Sequence, residues 1–598
     1  MSVVNPSSAP QLAALRVGRV AVLLLALAAP AIAVAQVRVA ERDLRVELDP
    51  AARAVRVTAA LRTAGAGRLD LRLTPLAEDV AWATGGGWVA VDGGALSVAE
   101  VADGATVELR YTLRVPPEAE GIALRLGPDD GHLLPESGWF PVVADAWLAP
   151  PTPYRLTVRA PAGLVAVGAG AVAPAADGAT TFSSDRPGLP FVAYGRLQRI
   201  ERGSADLWLT PDLAAYATRL GDLLAPELDA ILRTYHAWFA PPCPAVRLVS
   251  VARRGGWGAP CTLLLEAPAF ARLTTATSVD VDTFAFLAHE LAHTWWGNAV
   301  SPELPAYGLL VEGTAEYLST LALEARHGAQ AAEPLWRAWH DAAVGDAALD
   351  ELTPFQPTTY GLAYAKGAWL HRMLEGWLGR DAYLTALARL ARDDPRPSLA
   401  SYRAAVEAAG GVSLAAFFDE WVHGTAYPSY RLEGGAGAWT LHNDGTAGTP
   451  PVPLALDGAL RRTVVPPGGQ VTLAAERVAV DPDFHVLQAH GLPRGDDAAA
   501  AEAAMGRFLA ALATGDGARL RDAFTRPGAA VERLAELAAD LRVDDWTLDR
   551  VTDEADGRVF AFAVRARLGD QRLEGPLELA VDGDGRLVDV PRVSLRTR

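Results

Sequence analysis

The chain of 598 residues has room for about four domains at roughly 150 residues each. Half of its residues are hydrophobic and 21% are charged, a globular balance with ample material for cores. Its net charge of −17 argues against nucleic acid or an anionic membrane surface as partner, and its one lysine, Lys366, follows Ala365 rather than the glycine that a phosphate-binding P-loop requires.

Residues 1–35 read as an export signal: Arg16 and Arg19 flank an apolar run from Val20 to Ala29, and Ala33-Val34-Ala35 forms a small-residue cleavage site before Gln36. The run is short for a span of about 20 residues and no stop-transfer charges follow, so no stable membrane insertion is expected after its removal. The expected location is periplasmic or secreted. An oxidising compartment would let Cys243 and Cys261 pair, although two buried thiols fit the sequence equally well.

Residues 36–205 alternate apolar and polar positions in runs such as "RAVRVTAALR" and "ATVELRYTLRV", broken by Gly, Pro and Asp turns, which predicts an all-β sandwich or saddle. Residues 206–429 turn helical. A long apolar-striped helix begins at Pro211, with a bend expected at Pro226, and two strand runs follow it. Helices are then predicted at about 282–297, 308–327, 366–378, 381–392, 398–409 and 413–423. Residues 430–492 return to short strands, a small β-sandwich. The alanine-rich "GDDAAAAEAA" reads as a linker into 493–598, where helices precede alternating strands. The fold class is therefore a multidomain α+β protein.

The chemistry lies in "HELAHTWWGN", residues 289–298. On a helix, His289 and His293 share a face and aim both imidazoles at one point, while Glu290 is turned about 100° away. That arrangement offers two nitrogen ligands and a carboxylate able to take a proton from a metal-held water. A third ligand is available in Glu312, near the start of the next helix, which a short loop would fold back against the first. Two histidines and one glutamate leave a tetrahedral position open, as in a catalytic zinc site, with one zinc ion per chain. Read otherwise, Glu312 is an ordinary helix carboxylate and the histidines are core polar groups, which would then need partners of their own. Glu316, one turn beyond Glu312, could hold a ligand histidine's second nitrogen or be a surface carboxylate.

"HELAHTWWGNAVSPELPAYGLLVEGTAEY" resembles the aminopeptidase N family of gluzincin zinc metallopeptidases, with the second histidine and the third ligand separated by eighteen residues. The resemblance continues in "YAKGAWLHRMLEGWLGRDAYLTAL", in "FFDEWVHGTAYPSY" and, in the β region, in "ESGWFP" at 136–141, and covers roughly 40–430. It implies a thermolysin-like α/β catalytic domain over 206–429 that hydrolyses peptides. It also implies zinc on His289, His293 and Glu312, Glu290 as general base, and Tyr364 as oxyanion donor.

The chain departs from the family pattern where it matters for substrate. The usual G-A-M-E-N stretch, whose glutamate grips a free amine, is matched by "GGWGAP", with Gly258 in the glutamate's place. Gly256, Trp257, Gly258 and Ala259, with Glu136, are the candidate substrate-binding positions. No large helical domain follows Trp421; the last hundred residues are weakly similar to a nuclear-transport-factor-type cone fold. The expected activity is aminopeptidase-like hydrolysis of a peptide or protein substrate. An endopeptidase or processing protease, or a non-catalytic assembly factor keeping the fold, are the alternatives. Unless Glu136 or Glu266 supplies the missing anion, N-blocked peptides should be cut within about tenfold of free ones.

Overall fold

The computed structural model describes residues 37–597, apart from 85–93, 144–150, 241–242, 346, 353–359, 436, 489–494, 555–556, 570 and 592. The export signal expected at 1–35 lies outside the described residues. Among the described residues no helix is long and apolar enough to cross a membrane.

Alternation of side chains builds the N-terminal region. In strand Arg38–Asp49, Leu44, Val46 and Leu48 are buried while Arg45 and Glu47 face out, as the period of two requires. This strand pairs with Ala54–Ala64 on one side and, in parallel, with Thr152–Arg159 on the other, within a seven-stranded sheet. A three-stranded sheet of Ala95–Val101, Gly67–Arg72 and Val142–Val143 shares its core. A third sheet, of Val165–Val167, Val192–Gly195, Asp130–Leu133 and Leu124–Leu126, lies towards the region that follows. Leu134, Val167 and Phe191 from this side meet Trp208, Val251 and Leu264 in one apolar cluster.

The region that follows is a mixed five-stranded sheet covered by helices. Its strand order is Gln198–Arg202, Ala205–Leu209, Val246–Val251, Thr262–Glu266 and Gly256–Ala259, the last an antiparallel edge. A boundary at 205 therefore cuts this sheet: Gln198–Arg202 is a hairpin partner of Ala205–Leu209, although its alternation is indistinguishable from that of the preceding β strands. Cys243 and Cys261 are joined in a disulfide, with their Cα atoms 5.6 Å apart.

Helix Ala217–His236 runs through Pro226 without interruption; the break falls earlier, at Tyr216, where φ is −105° and ψ 7°. The histidine helix, Val281–Ala292, is capped by Asp280, whose carboxylate accepts from the Thr283 amide at 2.7 Å. It stops short of Gly297. Gly297 N and Val300 O bond at 2.8 Å, and Val300 N and Trp295 O at 2.7 Å, closing the chain into a tight turn instead. The next helix begins with a wide π turn, Gly308–Gly313, and continues as Thr314–His327; a second π segment, Tyr360–Lys366, opens into Gly367–Leu378. Helix Glu333–Ala343 was not expected, although Pro334 in its first turn is a helix-start signal.

Two three-stranded sheets form the small β domain around Leu441, Val452, Leu454, Val465 and Leu473. It is tied to the preceding helical region by Glu420, which accepts from the amides of Gly448 and Thr449 at 3.0 and 2.9 Å. In the C-terminal region the expected linker is itself helix: Gly495–Leu512 takes in the alanine run, as alanine's propensity favours. Two shorter helices follow, Gly517–Asp522 and Ala529–Leu537, and pack on a sheet led by Leu541–Glu554, Gly557–Leu568 and Gln571–Asp582.

Candidate metal centre

Packing of Thr314–His327 and its π turn against the histidine helix brings three side chains to one buried point. His289 Nε2 lies 3.2 Å from His293 Nε2, and Glu312 Oε2 lies 3.5 and 3.6 Å from those two nitrogens. Tetrahedral ligands at about 2.0–2.1 Å from zinc stand about 3.3 Å from one another, so the triangle has the size of one face of a zinc tetrahedron. The remaining ring nitrogens turn outwards. His293 Nδ1 donates to the Trp296 carbonyl at 2.9 Å, and His289 Nδ1 faces Glu316 Oε2 at 3.6 Å, which leaves both Nε2 lone pairs for the shared point.

The electrostatics ask for a cation. Glu312 Oε2 is sealed from solvent with no hydrogen-bond partner, a costly state for a carboxylate oxygen. Burial resists a charge on the imidazoles, yet Glu316 and Glu312 outweigh it at His289 and Glu312 does so at His293, and both pKa values stand above the usual one. Against its own burial, Glu312 is held well below the usual carboxylate range by the same imidazoles. A carboxylate drawn to ionise among imidazoles drawn to protonate is a pocket short of positive charge, and His289, His293 and Glu312 form a zinc site.

Glu290 leans over the edge strand: a Cβ on Gly256 would come within 2.4 Å of its Oε1. Burial raises the Glu290 pKa. Tyr364, on the second π segment, stacks on His289 with ring centres 5.7 Å apart and planes at 16°. Burial, with the charge of Glu312, pushes its phenol well above the usual value and keeps it a donor at neutral pH.

Gly258 is pressed against the histidine helix; a Cβ there would stand 2.1 Å from the Glu290 carbonyl oxygen and 2.9 Å from His293 Cβ. No side chain fits that spot without moving backbone. Asn298 seals the contact by donating to His293 O at 2.7 Å and to Gly258 O at 3.3 Å, a role not assigned to it from sequence. Trp257 takes its indole N–H to Glu136 Oε1 at 2.9 Å, while Glu136 Oε2 is shielded and unpartnered. Burial raises the Glu136 pKa, and Glu312 is near enough to add to it. Ala259 is buried in the apolar cluster between the β region and the five-stranded sheet. Glu266 is engaged elsewhere, accepting from Gly255 N at 3.3 Å and facing Arg272. The residue missed outright is Tyr307, whose hydroxyl donates to Glu312 Oε1 at 2.7 Å.

Residues 259–421 match the Peptidase family M1 domain. Aminopeptidase M1-B of Oryza sativa subsp. japonica is 34% identical over 118 residues, 17% of this chain and 13% of that protein. Aminopeptidase N of Lactococcus lactis subsp. cremoris (strain MG1363) is 25% identical over 258 residues, 37% of this chain and 29% of its own. The matched segments thus span well under a third of these relatives. In fold, the chain resembles Legionella pneumophila aminopeptidase A, solved in complex with aspartic acid, with a TM-score of 0.59 and 14% identity over 77% of this chain and 60% of that one.

Proposed function

We propose that this chain, a member of peptidase family M1 with that family's zinc site, hydrolyses peptides from a free N-terminus and grips the terminal amine with Glu136 in place of a glutamate on the edge strand. The reading is carried by Glu136: a shielded carboxylate with one unpartnered oxygen, held by Trp257 beside the strand that borders the zinc site. A substrate ammonium leaving water needs such an anion to offset its desolvation. Gly258 has no room to carry it.

Zinc, when bound, supplies a Lewis acid that polarises the scissile carbonyl and acidifies water. Glu290, whose pKa is raised by burial, takes the proton from the attacking water and passes it to the departing amine. Tyr364, kept protonated, donates to the oxyanion as the carbonyl carbon becomes tetrahedral. Gly256–Ala259 is the edge strand of its sheet, which suits pairing with an extended substrate backbone, and the missing side chain of Gly256 lets Glu290 come close to it.

Matched peptides with free and acetylated N-termini separate this reading from an endopeptidase or processing protease. Release of single N-terminal residues, with acetylated peptides cut more than about tenfold more slowly, is expected, since one buried ion pair is worth at least about 1.4 kcal/mol. Comparable rates on both, or internal cuts, would overturn it.

A further inference from the structure

We propose that Tyr307 is a positioning residue of the metal centre: it caps one oxygen of Glu312 and so presents only the other to the point shared by His289 and His293. The inference rests on the zinc reading of that point. Tyr307 OH donates to Oε1 at 2.7 Å, while Oε2 faces both Nε2 atoms at 3.5 and 3.6 Å. The two oxygens of one carboxylate are thus given separate tasks.

The backbone explains how residues five apart come to meet. In an α-helix of 3.6 residues per turn, position i+5 lies about 140° round from position i and could not be reached by a short hydrogen bond. The chain from Gly308 to Gly313 is a π turn instead, with Tyr307 at its N-terminal flank and Glu312 inside it. Its i→i+5 spacing brings the two side chains over one another. Wide turns of this kind cost helix regularity, and here the gain is a phenol placed on a ligand.

The chemical consequence is the number of bonds the glutamate can make. A carboxylate with both oxygens free can swing to a two-oxygen grip and fill the position that a catalytic zinc keeps open. With Oε1 engaged by Tyr307, Glu312 is restricted to one. Groups that orient a metal ligand in this way change metal affinity by about 10- to 100-fold when removed. Glu316, facing His289 Nδ1 at 3.6 Å, acts on a different ligand, so the two effects are separable.

Tyr307→Phe keeps the ring and removes only the hydroxyl. Zinc dissociation constants from chelator competition should rise about 10- to 100-fold. The visible absorption of the cobalt(II)-substituted protein should weaken as the metal gains a fifth ligand atom. Unfolding temperatures of the zinc-stripped proteins should coincide. In a Glu312→Ala background, Tyr307→Phe should have no further effect on zinc affinity, because its partner is gone. Unchanged affinity and spectrum in the single variant, or an equal loss in the Glu312→Ala background, would overturn the role of Tyr307 and leave the zinc site standing. Failure of the wild-type chain to bind zinc would overturn both.

Discussion

At the scale of single residues, the proposed reading turns on Glu136 and Gly258. The absent side chain of Gly258 is what lets the edge strand touch the histidine helix at Glu290 and His293. In the proposed function the negative charge for the substrate's amine is that of Glu136, which Trp257 holds by its indole N–H. Glu136→Gln keeps the shape and that bond but removes the charge. It should retain zinc and slow the cleavage of free-N-terminal peptides by about tenfold or more, while rates on acetylated peptides change little. Equal slowing on both substrates, read as kcat/KM, would count against an amine contact. His289 and His293 were legible because spacing on a helix is a local property, and Glu312 because a short loop folds its helix back on theirs. Glu136 and Tyr307 were less so: one partner is 121 residues away, and the other depends on a π turn that no apolar periodicity reveals.

At the scale of elements, the two π segments carry the site's less obvious groups, Glu312 on one and Tyr364 on the other, and they pack together. The second ends at Lys366, fully buried, with Nζ 3.3 Å from Gly424 O and over the ring of Tyr427. Burial lowers its pKa to about 8 from the usual 10.5. The folded chain therefore gives up this proton at lower pH than the unfolded chain does. Stability owed to Lys366 rises between about pH 8 and 10.5 and is least below that window. Lys366→Met should unfold at a higher temperature than wild type at pH 7, by at most about 3 kcal/mol in stability, and the advantage should shrink towards pH 10. A difference constant with pH would mean that Lys366 has the same pKa in the folded and unfolded chains. The periodicities placed Thr314–His327, Gly367–Leu378, Arg380–Asp393 and Leu399–Gly410 well, because each buries one continuous stripe. They misjudged the end of the histidine helix, where Asn298 and a closed turn, rather than a loss of apolar residues, stop it.

At the scale of the whole molecule, the β region and the five-stranded sheet share one apolar cluster, in which Phe191, Trp208 and Leu264 meet Leu134, two residues before Glu136. That division was legible as a change of texture near residue 205 but not in detail, because strand Gln198–Arg202 alternates like its predecessors while pairing with the sheet that follows. The account as a whole turns on Glu290, the one group asked to move a proton without holding the metal. The direct test is peptide cleavage, followed by mass spectrometry, for purified wild-type and Glu290→Ala proteins whose zinc content is measured alongside. The expected result is about one zinc per chain in both, with cleavage by wild type and a loss of orders of magnitude in the variant. Turnover by Glu290→Ala at the wild-type rate, or no cleavage of any peptide by the zinc-loaded wild type, would contradict it.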